Sequence, residues 1–280
     1  MNTIIAGAVY TMIALGFNLI YRVTKFFNIA HGAFIVTGGY VVFFLHKALR
    51  LGLMTSVILS MLSVGALGML VDKAVFSTLR KKQASSLTML VASLGILWAL
   101  QSLIALTFGT EFQRLSGKGE IAATFNVLGA MITDVQVITI IAGFSVMIGL
   151  VMMVNMTRFG KAIMAVGDDD EVAKIIGIDT ERIIGYVFFI GSAAACLGGT
   201  LIGFDIGLIP TMGVLLLLKG VTASIIGGVG NIYGGVLGAY MLGLAENIGV
   251  LTLSSGWKDA TAFGLLIIFL VFRPRGIMNN

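Results

Sequence analysis

Three ionisable residues stand within or beside long apolar runs: Asp205, Lys219 and Glu246. Charged groups in hydrocarbon are costly, and they mark ion or substrate pathways unless they sit at helix ends near water. Asp205 and Lys219 flank short runs, which favours positions at helix ends. Glu246 follows the apolar segment Met241–Ala245 and is the strongest of the three as a residue that faces a cavity.

The residue patterns that support catalysis are missing from the sequence. It has no phosphate-binding Gly-x4-Gly-Lys-Ser/Thr loop and no His-Glu-x-x-His pair. The two histidines, His31 and His46, form no metal-binding pattern, and the one cysteine, Cys196, lies in an apolar run. We therefore expect no catalytic, cofactor-binding or metal-binding residues, and a chain that is not an enzyme.

The segment from Thr157 to Ile183 carries the strongest local pattern. Asp168 and Glu171 have the spacing of a helix capping box, and acids at this end match the positive end of the helix dipole. Gly177 is placed to end the helix. An apolar stripe follows the acids and comprises Val172, Ile175 and Ile176. The pattern predicts a short amphipathic helix whose stripe docks on another surface.

The composition indicates a membrane protein. Of 280 residues, 58% are hydrophobic and 11% are charged, whereas soluble domains carry roughly 25% charged residues. A bilayer crossing takes about 20 helical residues, and long unbroken apolar runs argue against a β-barrel. The net charge of +5 fits basic inner loops rather than nucleic-acid binding. We expect an all-α polytopic helical protein with about eight to ten membrane segments, interrupted helices and a cytoplasmic helix.

Charge-free runs give nine candidate membrane segments within one domain, 1–280, whose cytoplasmic loop is 157–183. Seven runs are long enough to cross: 1–21, 26–46, 51–71, 83–110, 135–157, 183–204 and 220–245. Two shorter runs, 206–218 and 260–272, are ambiguous.

Loop charges predict the orientation of these segments. The loops 72–82 and 158–182 and the tail 273–280 are expected inside, the first and last because they are basic. The long, slightly acidic segment 108–134 is expected outside, with the N-terminus. The basic loop 47–50 would then lie outside, against the rule.

Glycine spacing indicates close helix packing and helix breaks. Two sets of glycines are spaced by four residues: Gly199, Gly203 and Gly207, and Gly230, Gly234 and Gly238. The segment 225–231 is too glycine-rich for a helix centre and predicts a break between two half-helices, which in transporters often points to the permeation path. The residues expected along a translocation path are Asn28, His31, Gly32, Gly227, Gly228, Gly230 and Glu246.

Several segments together resemble one family. Glu171-x-Ala173-x3-Gly177 resembles the cytoplasmic coupling motif of ABC importer permeases. The wider string from Gly160 to Ile178 is similar to the permeases of high-affinity branched-chain amino acid importers. Three further segments resemble the same family: Asn28–Phe34, Gly227–Gly235 and Arg273–Gly276. Many relatives carry an acid where this chain has Ala33, and they tend to begin several residues earlier, so we expect a short stretch to precede Met1.

The resemblance implies a permease subunit of an ATP-driven importer in the bacterial inner membrane. It implies a second permease, homologous or identical, two cytoplasmic ATP-binding subunits, an external solute-binding protein and surrounding lipid, and no nucleic acid. Coupling to the ATPase is expected at Gly160, Asp168, Glu171, Ala173 and Gly177, with the small Ala173 letting the partner approach.

The expected solute is a branched-chain or other hydrophobic amino acid. Urea or short amides are the alternative within the family. Two alternatives lie outside the family. An ion-coupled secondary transporter would use Glu246 as its coupling acid. A structural membrane protein would fit the composition but would not explain the acid-capped loop.

Overall fold

The described part of the chain, residues 1–115, 124–127, 130–252 and 254–278 of the computed structural model, is almost entirely helical. The α-helices are α1 (Asn2–Thr24), α2 (His31–Phe43), α3 (Leu53–Val71), α4 (Ser77–Lys81), α5 (Ser86–Phe108), α6 (Asp134–Met156), α7 (Arg158–Asp168), α8 (Asp170–Ile175), α9 (Thr180–Asp205), α10 (Met212–Gly227), α11 (Ile232–Thr252) and α12 (Lys258–Phe272). π-Helical turns, Phe44–Ala48 and Asp72–Phe76, extend α2 and α3, and a 3-10 turn, Ser255–Trp257, precedes α12.

Seven helices in the described residues are long and apolar enough to cross a membrane. They are α1, α3 with α4, α5, α6, α9, α11 and α12 with its preceding turn. Helix α10 is apolar but has 16 residues, about 24 Å of helix. The expectation of a polytopic helical membrane protein is confirmed.

The two ends of the bundle are defined by contacts between loops. At one end, which we call the α7–α8 end, Arg22 pairs with Asp168, and Arg80 pairs with Glu181. Met278 in the C-terminal tail also lies here, where its carbonyl accepts from the side-chain amide of Asn231. The segments 72–82, 158–182 and 273–278 therefore share one end, as the predicted topology requires.

The opposite end carries the start of the 108–134 segment. Gln113 pairs through its backbone with Leu208, and Lys47 donates to the carbonyl of Arg114. The strands β1 (Thr124–Val127) and β2 (Ala130–Thr133) form an antiparallel hairpin that charge patterning did not predict. Residues 116–123 and 128–129 of this predicted outer segment lie outside the described residues.

Helices α1 and α9 form the centre of the bundle, and α3, α5, α6 and α12 are largely exposed. The two central helices approach until a Cβ on Gly16 would lie 2.5 Å from the carbonyl oxygen of Gly191. Only glycine permits this backbone contact. The exposed outer helices carry the leucine, isoleucine and phenylalanine side chains that a lipid-facing surface needs.

Two predictions about the glycine-rich region need correction. The run 220–245 is not one crossing, because the chain turns at Gly228–Asn231 between α10 and α11. Gly227 lies against Gly234, and Ala223 lies against Gly238, so α10 and α11 form an antiparallel hairpin rather than two halves of one span. The break itself is confirmed.

The four-residue glycine spacing predicted helix at two positions that lie outside the helices. Gly207 lies beyond the end of α9, and Gly230 lies in the turn before α11. Both have a positive φ, 93° and 81°. They serve chain reversals, and the helix-packing role predicted for them is wrong.

Candidate functional site

Helix α8 is capped by Asp169, one residue after the predicted cap. Asp169 Oδ1 accepts from the backbone N–H groups of Glu171 at 2.9 Å and Val172 at 3.0 Å. Its extended backbone, φ −153° and ψ 113°, is the conformation of an N-cap. Asp168 instead ends α7, and its carboxylate pairs with Arg22 at 3.2 Å. Asp169 and not Asp168 therefore fixes the start of α8, while Glu171 lies in its first turn.

The apolar stripe of α8 is exposed. The relative exposures of Val172, Ile175 and Ile176 are 52%, 83% and 66%. Ala173, at 1%, is buried in its own bundle among residues such as Val166 and Ile184. The expectation that Ala173 admits a partner is therefore wrong. Ala173 seats α8 on the permease and leaves the stripe free to meet another surface.

Two glycines shape the approach to α8 and its exit. A Cβ on Gly160 would overlap the backbone of Val154, so Gly160 lets α7 fold tightly against the end of α6. Gly177 has φ +88° and ends α8 as predicted, while Ile178 N–H donates to the carbonyl of Ala173 at 3.0 Å. Both glycines fix the backbone geometry of this loop.

An ion pair on α8 lies beside the stripe. Lys174 Nζ donates to Asp170 Oδ2 at 2.7 Å across one helical turn. This hydrogen bond raises the pKa of Lys174 above its usual value. The exposed face of α8 thus combines an apolar stripe with a paired charge.

The glycine turn, Gly227–Asn231, is held by α1. Asn18 Oδ1 accepts from Gly230 N–H at 3.1 Å, and Asn18 Nδ2 donates to Asn231 O at 3.0 Å. Arg22 Nη1 donates to Gly230 O at 3.4 Å. Because Arg22 also pairs with Asp168, one α1 side chain contacts both the glycine turn and the α7–α8 segment.

The segment Asn28–Gly32 opens α2 in the interior of the bundle. His31 is fully buried, and its Nε2 lies 3.3 Å from Ile13 O. Gly32 packs on the backbone of Gly213, where a Cβ would lie 2.9 Å from the carbonyl oxygen. The Asn28 amide and His31 Nδ1 have no hydrogen-bond partner among the described residues. The geometry places these residues at a tight helix junction.

Glu246 belongs to a charge cluster with Tyr10, Lys219, Lys258 and Asp259. Glu246, Lys219 and Tyr10 are buried, whereas Lys258 and Asp259 are partly exposed. Lys219 Nζ lies 3.1 Å from Glu246 Oε1 and 2.8 Å from Asp259 Oδ1. Tyr10 Oη donates to Glu246 Oε2 at 2.7 Å, and Lys258 Nζ lies 3.6 Å from the same oxygen. The cluster carries two acids and two amines, so its formal charges balance.

Of the two charged residues predicted at helix ends, Asp205 lies at one and Lys219 does not. Asp205 is exposed at the end of α9 and accepts from Gln136, as expected for a helix end. Lys219 is buried in the middle of α10, so the prediction of a helix end is wrong. Its burial is possible because Glu246 on α11 and Asp259 on α12 pair with it. The sequence next to Lys219 does not indicate these distant partners.

Helix α1 connects the predicted path residues, although sequence reasoning assigned it no role. It contacts Glu246 through Tyr10, His31 through Ile13, the glycine turn through Asn18, and Asp168 through Arg22. Asn18 and Arg22 are four residues apart and share one helix face, a spacing that could have indicated them. The described residues contain no group of three His, Cys, Asp or Glu that could hold a metal ion.

The comparisons with known proteins agree with this architecture. Residues 1–271 match the family model described as "Branched-chain amino acid transport system / permease component". The chain belongs to this family. It is 31% identical over 292 residues to the high-affinity branched-chain amino acid transport system permease protein LivH of Salmonella typhimurium, covering 100% of this chain and 94% of the relative.

A second relative and a solved structure extend the likeness. The corresponding permease protein BraD of Pseudomonas aeruginosa is 31% identical over 290 residues, covering 100% of this chain and 94% of BraD. A chain of the structure of PsaBC from Streptococcus pneumoniae in complex with Fab has the same fold, with a TM-score of 0.52 and 15% identity over 98% of this chain and 91% of that one.

Family membership makes the chain a multi-pass transport permease of the bacterial inner membrane and not an enzyme. Permeases of this family work with ATP-binding subunits, on which ATP hydrolysis takes place, and with a binding protein.

Proposed function

We propose that this permease moves a branched-chain or similar hydrophobic amino acid inward, driven by ATP hydrolysis on partner subunits. The names of the full-length relatives LivH and BraD support this solute class. The observation that supports the ATP-driven mechanism is the exposed apolar stripe of α8, because an apolar helix face in a loop needs a partner surface.

The proposed assembly contains two permeases, two ATP-binding subunits and one external solute-binding protein. In this proposal residues 1–280 form one transmembrane domain, and 157–183 is its coupling loop. The apolar stripe docks in a groove of the ATP-binding subunit, as amphipathic helices do. Asp169 and Gly177 fix the two ends of α8, so a push on the stripe moves the helix as a unit.

The translocation path is proposed to pass the glycine turn and the start of α2. Arg22 supplies a physical connection, because it contacts both Asp168 beside α8 and Gly230 in the turn. A movement of α8 would therefore reach the turn through one side chain. Gly230, which faces Tyr21 and Arg22, would let the turn move against α1 without side-chain obstruction, and Gly227, which lies against Gly234, keeps α10 and α11 close together.

The charge cluster argues against an ion-coupled mechanism. A coupling acid must exchange a proton or cation during transport. Glu246 instead lies beside Lys219 and Lys258 and accepts from Tyr10. We propose that the cluster joins the helices α1, α10, α11 and α12 and that it does not carry a coupling ion.

Reconstitution tests the proposed function. The permease is co-expressed with candidate ATP-binding subunits and a solute-binding protein of the same organism, purified and placed in liposomes. We expect uptake of labelled leucine, isoleucine or valine that requires internal ATP and survives an ionophore. Uptake of urea instead would contradict the solute class, and uptake abolished by the ionophore but independent of ATP would contradict the mechanism.

A further inference from the structure

Arg80 joins two helices at the α7–α8 end through four hydrogen bonds. Its Nη1 and Nη2 donate to the two carboxylate oxygens of Asp72 at 2.7 and 3.3 Å. Its Nε and Nη2 donate to the two oxygens of Glu181 at 3.1 and 2.8 Å. A guanidinium engaged in two forks has a fixed orientation, which a lysine ammonium cannot reproduce.

The first fork fixes Arg80 to the end of α3. Asp72 begins the π-helical turn after α3, and its side chain is 3% exposed. A buried carboxylate requires a paired charge. Arg80, whose side chain is 14% exposed, supplies that charge from α4, which directly follows the π-helical turn of Asp72. Arg80 and Asp72 therefore form one rigid unit with the end of α3.

The second fork reaches the segment that leaves α8. Asp179 caps α9 by accepting from Arg182 N–H at 3.1 Å, and Glu181 lies in the first turn of α9. Only the short connection Ile176–Asp179 separates α8 from this turn. Any displacement of α8 must therefore act on the turn that contains Glu181.

Helices α3 and α9 also pack closely at positions away from the Arg80 hydrogen bonds. Gly65 lies against Phe189, and Gly68 lies against Ser192 and the carbonyl of Phe188. At both contacts α3 presents a glycine, so the two helices lie close together along this surface. The Arg80–Glu181 fork closes the end of this pair nearest to α8.

We propose that Arg80 is a positioning residue that makes α3 follow α9 when α8 is displaced, so that ATP hydrolysis is converted into a movement of both helices. The inference rests on the proposed function of α8. Arg80 touches neither solute nor nucleotide in this account, and its effect is on the yield of transport per ATP.

The test variant is Glu181→Gln, because it weakens the second fork and leaves the buried Asp72–Arg80 pair intact. Arg182→Gln is the matched control: Arg182 lies in the same turn, but its exposed ion pair is with Asp179 of its own segment. Each variant is reconstituted with the ATP-binding subunits and the loaded solute-binding protein. Solute uptake and ATP hydrolysis are measured in the same liposomes.

We expect Glu181→Gln to assemble and hydrolyse ATP, with uptake per ATP about fivefold lower. Fivefold corresponds to about 1 kcal/mol, the upper range for a partly exposed ion pair. Glu181→Asp should restore part of the ratio, and Arg182→Gln should keep the wild-type value. An unchanged ratio in Glu181→Gln overturns the inference, as does an equal fall in Arg182→Gln. Loss of assembly in Glu181→Gln also overturns it, since the fork lies within the permease.

The wild-type complex separates this inference from the proposed function. If the wild type neither binds the ATP-binding subunits nor shows ATP-dependent uptake, the proposed function fails. If the wild type transports and Glu181→Gln transports with the same yield, only the role of Arg80 fails.

Discussion

Asn18 Oδ1 accepts a hydrogen bond from the backbone N–H of Gly230 at 3.1 Å, across 212 residues of sequence. The amide of the same side chain donates to Asn231 O at 3.0 Å. The Asn18 side chain therefore satisfies the buried N–H of Gly230 and adds a second donor to Asn231 O, which also accepts from Gly235 N–H at 2.9 Å. The relationship ties the α10–α11 hairpin to the centre of the bundle.

Asn18→Ala should destabilise the permease by about 1–3 kcal/mol, because the buried backbone N–H of Gly230 loses its partner. The measurement is thermal unfolding of the purified protein in detergent. Asn247→Ala is the control, since Asn247 donates only to Gly243 O in its own helix. Equal unfolding temperatures for Asn18→Ala and wild type would contradict the role of Asn18.

Gly228→Leu should abolish transport while the assembly with the ATP-binding subunits survives. Gly228 has φ +115°, a conformation that side-chain-bearing residues rarely adopt. Its turn is also packed against the C-terminal segment at Gly276. Uptake and subunit co-purification are measured together. Gly149→Leu on α6 is the control, because nothing lies within 4 Å of its Cβ position; normal uptake by Gly228→Leu would show that the turn is not part of the moving path.

Lys219→Met should destabilise the protein by about 3–5 kcal/mol, since it leaves the buried Glu246 carboxylate without its nearest cation. The double variant Lys219→Met with Glu246→Gln should recover much of this loss, because it removes both buried charges. Unfolding in detergent measures the two free energies. A double variant as unstable as the sum of both single variants would mean that the two side chains do not interact.

The sequence predicted those features whose causes are local. The helix α8, its end at Gly177 and the break near Gly228 each depend on neighbouring residues, and the structure contains all three. The cap was placed one residue early because Asp168 and Asp169 offer the same side chain. The backbone angles of Asp169 and its hydrogen bonds from Glu171 N–H and Val172 N–H distinguish it as the cap.

The parts that were missed depend on contacts between distant residues. Lys219 interrupts an apolar run and therefore resembled a helix end, but acids on α11 and α12 allow its burial. Arg22 reaches Gly230 across 208 residues, and Arg80 reaches Glu181 across 101. No local pattern specifies such partners. The small side chain of Ala173 is compatible with a contact to a partner and with packing inside the permease. Its burial shows that it packs inside the permease.

Ala173→Glu should therefore damage the permease itself rather than its docking alone. A glutamate at this 1% exposed position would bury a charge among Val166, Ile184 and their neighbours. We expect a lower unfolding temperature in detergent even without any partner present. An unfolding temperature equal to that of wild type would show that Ala173 points to a partner after all.

The central claim, that α8 docks on an ATP-binding subunit through its stripe, is tested most directly by one pull-down. The variant is Ile175→Asp, at the most exposed stripe position, and Lys174→Gln in the same helix is the control. The retained ATP-binding subunit is quantified on the purified permease. We predict that Ile175→Asp folds normally and loses the ATP-binding subunit, while Lys174→Gln retains it. Wild-type retention by Ile175→Asp would contradict the account.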